Sequence, residues 1–216
     1  MAGEVVLVRH GQGECNAAGV IGGRRGCRGL SDLGRWQSER LGERLVQWHQ
    51  ERAFDVLLCS PRLRVLQCAQ IIGERLGPSP IVIDELAGQE FGVADGQSWE
   101  QVTARFGGPP GHRPDQQIAE GSESWFRYAD RVLAALTRLL NEHDGQRMLF
   151  VVHGKTTGLA GGLLSGAADP LAAVAGHIVD HGSLSHWRQP NGRWELLRHN
   201  DSHHLIGEKP ITTAAR

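Results

Sequence analysis

Three short apolar runs limit what this chain can fold into: Val5-Val6-Leu7-Val8, Phe54 to Cys59, and Met148-Leu149-Phe150-Val151-Val152. Each is too short, and too sharply bounded by polar residues, for a core helix or a membrane span. Their branched side chains read as buried strand. Unbroken apolar runs belong to strands covered on both faces. Between them lie stretches with helical spacing. Leu33, Trp36, Leu41, Leu45 and Trp48 follow a cap at Ser31, which predicts a helix to about Gln50. Leu66, Ala69, Ile72 and Leu76 predict a second helix, stopped at Gly77-Pro78. Ser122 opens a third, carrying Trp125, Tyr128, Val132, Leu133, Leu136 and Leu139 to about His143. Such alternation predicts an α/β, three-layer sandwich: a mainly parallel central sheet with helices on both faces.

All three runs stop at reactive side chains. The first ends in Arg9-His10-Gly11: a planar cation that matches phosphate or carboxylate oxygens, an imidazole that can attack or carry a proton, and a residue that lets the chain turn away. The second ends in Ser60-Pro61, expected to cap a helix with Arg62 and Arg64 in its first turn, where guanidiniums and free backbone N–H groups cradle anions. The third ends in His153-Gly154, followed by a small-residue helix from about Thr156 to Leu164. Parallel strand ends converge on one edge, where open α/β sheets bind ligands. Two histidines and two or three arginines gathered there suit a phosphoryl group. The Gln12–Gly29 loop adds Asn16, a candidate phosphate donor, and Arg24, Arg25 and Arg28.

The remaining segments read as a short strand at Ile81–Ile83, an acidic Gly-punctuated loop from Asp84 to Gly92, and a helix from Ser98 to Phe106. A Gly/Pro-rich excursion spans 107–120, and a closing hairpin joins Ile178–Trp187 to Arg193–Leu197 through Pro190-Asn191-Gly192. A single domain over 1–206 with a frayed tail at 207–216 is expected. Trp99 is placed near the pocket rim; the other tryptophans and His199, His203 and His204 are assigned to packing or surface, not to a metal. The formal net charge of −1 offers no field for nucleic acid or an anionic membrane, so any anion site is a local cluster. The four cysteines lack C-x-x-C spacing and read as reduced thiols. Met-Ala-Gly-Glu leads straight into a strand with no leader pattern, which predicts a cytoplasmic protein. A homodimer is the default assembly.

Taken in order, these motifs resemble the histidine phosphatase superfamily, the phosphoglycerate-mutase-like fold, in its phosphatase branch. Leu7-Val8-Arg9-His10-Gly11 with Asn16 resembles its opening motif, and Leu30-Ser31-Asp32-Leu33-Gly34 a helix start. Ser60 to Ala69 matches the helix that carries the family's phosphate arginine, which falls on Arg64. Ser122-Glu123-Ser124 through Arg131-Val132, His153-Gly154, and Asn200 to Leu205 follow. The resemblance implies a phosphomonoesterase acting on a small phosphorylated metabolite, without cofactor or metal. His10 would form a phosphohistidine, while Arg9, Arg64 and His153 hold the phosphoryl oxygens. Asn16, Arg62, Gly154 and Arg24 are expected to support binding.

One motif departs from the family: Leu-x-Glu-x-x-x-Gly, whose Glu gives the leaving group its proton, has Gly88 at that place. In an extended segment, residues two apart share a face, so Glu90 rather than Glu85 is the candidate acid. The alternatives are a catalytically weakened domain that binds a phosphorylated ligand or regulates a partner and, with less in its favour, a phosphoglycerate-type mutase.

Overall fold

The chain runs β1 (Gly3–Arg9), α1 (Glu14–Ala17), α2 (Asp32–Glu51), β2 (Val56–Cys59), α3 (Leu63–Leu76), β3 (Ile81–Val82), α4 (Trp99–Phe106), α5 (Trp125–Glu142), β4 (Arg147–Val152), α6 (Gly154–Leu164), β5 (Leu184–Gln189) and β6 (Glu195–Asp201). This is a computed structural model that describes residues 3–108, 112–169, 179–207 and 209. The strands form one sheet in the order β3-β2-β4-β1-β5-β6. The pairs β3–β2, β2–β4 and β4–β1 are parallel, whereas β5 pairs antiparallel with β1 and with β6.

Successive residues of the central strands bury opposite faces, which explains their unbroken apolar runs. Val5 and Leu7 of β1, Val56 and Leu58 of β2, and Met148, Phe150 and Val152 of β4 pack under α5 and α6. Val6 and Val8, Leu57 and Cys59, and Leu149 and Val151 pack under α2 and α3. The expected mainly parallel, three-layer α/β architecture is therefore present.

Local differences have physical reasons. Ser31 caps α2 as expected, its Oγ accepting from Gly34 N. Ser60 does not cap α3. Its Oγ meets His153 Nε2 at 2.8 Å, and the helix starts at Leu63, so Arg62 is the residue before the first turn, not within it. Similarly α5 is capped by Ser124, whose Oγ accepts from Arg127 N, because Ser122 Oγ closes a turn onto Ala119 O. The edge strand β3 exposes both its side chains. The hairpin does turn at Pro190–Gly192, with Asn191 at φ 56°, but its first strand begins at Leu184. Ile178, residues 109–111 of the excursion and residues 208 and 210–216 of the tail lie outside the described residues.

The sheet core sets a stability expectation. Phe150 is fully buried on the central strand β4, whereas Leu197 on the edge strand β6 is 44% exposed. Phe150→Ala should lose about 3–5 kcal/mol in guanidinium unfolding, and Leu197→Ala should stay within about 0.5 kcal/mol.

Candidate active site

Parallel pairing of β1 with β4 aligns Arg9 with Val152, so His10 and His153 emerge side by side one step beyond the sheet. His10 N donates to Val152 O, which ties the two strand ends together. The imidazole rings sit 5.3 Å apart, centre to centre, at 77°. After His10 the backbone turns hard against the start of α2. A Cβ on Gly11 would overlap the Gly34 carbonyl, and one on Gly34 would overlap that of Gln12, so both glycines are required by close approach.

Hydrogen bonding sets the tautomers. A carbonyl only accepts, so His10 Nδ1 carries the proton it gives Gly11 O (2.6 Å), and the lone pair lies on Nε2. Arg64 Nε donates to that Nε2 at 3.1 Å, and Arg64 Nη2 faces His153 Nδ1 at 3.4 Å. His153 Nε2 therefore carries its proton toward Ser60 Oγ. Burial, and then the Arg64 cation, hold His10 well below the ordinary imidazole range. Burial and the Arg64, Arg62 and Arg9 cations do the same to His153. Both rings are thus neutral at physiological pH. Arg9 reaches the cluster from the end of β1, with Nη2 2.7 Å from His181 Nε2. Its Nε is buried without a hydrogen-bond partner among the described residues. A Cβ on Gly154 would press on the Arg9 guanidinium, so the glycine makes room for it.

These groups line a cavity of about 340 Å³ whose wall includes Arg9, His10, Asn16, Arg64, His153 and Gly154. Gly88, Gln89, Phe91, Trp99, Tyr128 and Lys155 line it as well. Trp99 is at the pocket, as expected, edge-on to Phe91. Asn16 also closes α1, its Oδ1 accepting from Gly13 N. Among the described residues no group of three potential metal ligands is clustered.

Three expected site residues are placed elsewhere. Glu90 is not on the cavity wall; its carboxylate is paired with Arg62 (2.9 Å) and Arg24 (3.1 Å). Arg24 and Arg62 line a second hollow with Cys27 and Asp84, although Arg62 also donates to Gly88 O. The reason lies in the loop. Consecutive residues Gly88 and Gln89 both face the cavity, so the segment does not alternate as a strand would, and Glu90 does not share a side with position 88. Sequence reasoning missed His181, Tyr128, Gln89 and Lys155. His181 stands in a third His-Gly pair, and Lys155 is the one charged side chain in the α6 segment GKTTGLAGGLL; both were visible signals.

The buried imidazoles predict an acid-sensitive fold. Burial lowers His10 and His153, and pushes His181 and His204 down to about 4. The folded state then binds fewer protons than the unfolded chain below about pH 6.5, so stability is greatest above that pH and falls toward pH 4. The melting temperature should drop by roughly 5 °C or more between pH 7.5 and pH 5. A flat profile in differential scanning calorimetry would contradict this account.

The profile of the Histidine phosphatase superfamily (branch 1) matches residues 5–202. Two Arabidopsis thaliana relatives, phosphoglycerate mutase-like protein 4 and a metal-independent phosphoserine phosphatase, are each 31% identical over 156 residues. Those matches cover 70% of this chain and 66% and 64% of the two relatives, so the chain spans just under two thirds of their length. Among solved structures, the alpha-ribazole phosphatase of Shigella flexneri superposes with a TM-score of 0.79 at 21% identity. That superposition covers 92% of this chain and 96% of the other, a likeness of fold. With the profile spanning nearly all of the sheet and every strand-end motif, the chain belongs to the histidine phosphatase superfamily, branch 1.

Proposed function

We propose that this protein hydrolyses phosphomonoesters of small metabolites through a phosphohistidine on His10. The observation that carries the reading is the unprotonated His10 Nε2, on a ring held neutral, whose lone pair accepts from Arg64 Nε at the cavity wall. Nε2 attacks phosphorus as the ester oxygen departs in line, and water then releases phosphate from the imidazole. Arg9 and Arg64 neutralise the equatorial oxygens. Arg9 Nε, buried without a protein partner among the described residues, has its donor available for one of them. His153 Nδ1, beside Arg64, takes up or shares a phosphoryl proton. The names of the matched phosphatases support this reading.

His10→Ala should reduce phosphate release from an aryl phosphate by at least about 10³-fold, and Arg64→Ala by roughly 10²–10³-fold. The native protein should become labelled on His10 when quenched in acid-free buffer during turnover. Undiminished release by His10→Ala would refute the mechanism.

A second reading has one observation behind it: no carboxylate is among the described residues of the cavity wall. A site without a proton donor can trap phosphohistidine or simply hold a phosphorylated ligand. An acid contributes about 10²–10⁴-fold, most for poor leaving groups. A Cβ at position 88 would lie 3.2 Å from the His153 ring, close enough to disturb it. Gly88→Ala therefore measures the steric cost alone. Gly88→Glu should exceed Gly88→Ala by about 10²-fold on alkyl phosphates and by much less on aryl phosphates. Equal activity of the two variants on both ester types would show that a carboxyl at 88 supplies no proton.

A further inference from the structure

Lys155 is a cation that the chemistry above does not use. It lies in the first turn of α6, two residues after His153, and its side chain is largely buried on the wall of the same cavity. One of its three N–H donors goes to a neutral acceptor, Gln89 Oε1, at 3.0 Å. Its ammonium stands 5.1 Å from the centre of the Trp125 ring. No carboxylate pairs with it among the described residues, and burial is the one influence that moves its acidity, down to about 8. The carboxylates of the neighbouring loop are paired with other cations: Glu123 with Arg131, Glu90 with Arg62 and Arg24, and Glu85 with Arg138. A buried ammonium without a counter-charge is costly unless a ligand provides one.

The contacts of Lys155 are with Gln89 and Trp125, and it takes no part in the hydrogen bonds that join Arg9, His10, Arg64, His153 and His181. It flanks the Gly88–Gln89 side of the cavity instead, next to the position where this chain has no carboxylate. A phosphoryl group on Arg9 and Arg64 therefore leaves Lys155 facing the rest of the substrate.

We propose that Lys155 is a specificity-determining residue that receives a second anionic group, a carboxylate, carried on the alcohol portion of the substrate. The preferred substrates are then phosphomonoesters of small hydroxy acids. This rests on the phosphomonoesterase reading and deepens it. A Glu at position 88 would compete for the same ammonium, so Gly88 and Lys155 act together: the missing carboxylate leaves the cation to the ligand.

The test compares phosphate esters of glycolate and 3-hydroxypropanoate with counterparts in which CH2OH replaces the carboxylate. Native protein should favour the carboxylate member at least about tenfold in kcat/KM, chiefly through KM, the scale of one charge-assisted contact. In Lys155→Met that ratio should fall to near one, and in Lys155→Arg, which keeps the charge but cannot give up its proton, a preference should persist. The same pairs are titrated calorimetrically into His10→Ala and into His10→Ala with Lys155→Met, which reads discrimination without turnover. Absence of turnover by the native protein on every ester, with Lys155-dependent discrimination retained in binding, would sink the phosphatase reading and leave this one standing. Equal affinity for both members in His10→Ala would overturn the proposal. So would a fall in kcat shared by Met and Arg variants on both members, which is the mark of a proton donor.

Discussion

One buried guanidinium organises the site. Arg64 is only 8% exposed, yet it is met by two imidazole nitrogens and the Gly22 carbonyl rather than by a carboxylate. A cation so placed keeps its full charge for a ligand. It also raises the cost of a proton on either histidine, adding to the larger effect of burial on both rings. A single contact thus joins the proposed nucleophile to the proposed anion receptor: Arg64, placed to bind phosphate, also keeps His10 unprotonated. The geometry depends on the sheet, because only a parallel β1–β4 pair with this register brings the two histidines out together.

The loop bearing Gly88 is held as firmly, by a different set of charges. Glu123 accepts from Glu90 N while pairing with Arg131, and Arg131 also donates to the carbonyls of Glu85 and Ala87. Arg62 grips Gly88 O from the other side. These contacts fix the backbone with Gly88 and Gln89 turned inward. They also accompany the position of Glu90, whose carboxylate meets the buried Arg62 guanidinium.

The strands and the gathering of Arg9, His10, Arg64 and His153 on one wall were legible because each rests on local rules. An apolar run buried on both faces has no alternative to a central strand, and Arg9, His10, Arg64 and His153 sit at or just past strand ends whose convergence follows from parallel topology. What was not legible depends on contacts between distant segments. Ser60 reads as a cap until His153 claims its hydroxyl, and Ser122 until Ala119 does. The period-two argument for Glu90 assumes an extended backbone that the Arg131 and Arg62 anchors do not allow. Lys155 was overlooked because a lysine in a first helical turn is usually solvated; only the packing of Trp125 and Gln89 around it makes it a buried charge.

The missing carboxylate at position 88 has two opposed consequences. In the proposed reaction, proton donation to the leaving group would weaken, since the remaining titratable wall groups are neutral imidazoles, an ammonium, and a Tyr128 hydroxyl pushed up to about 12 and bonded to Thr156. At the same time, the wall keeps Arg9, Arg64 and Lys155 with no carboxylate among its described lining residues, although Asp180 acts on Arg9. In a chain whose formal net charge is −1, that concentration of positive charge is local and buried, where screening by salt is least effective. On the proposed mechanism, a site built this way would bind a polyanion strongly and depend on the substrate's own leaving group to depart. Its selectivity then arises less from how a proton is delivered than from how well a ligand's negative charges match the spacing of its cations.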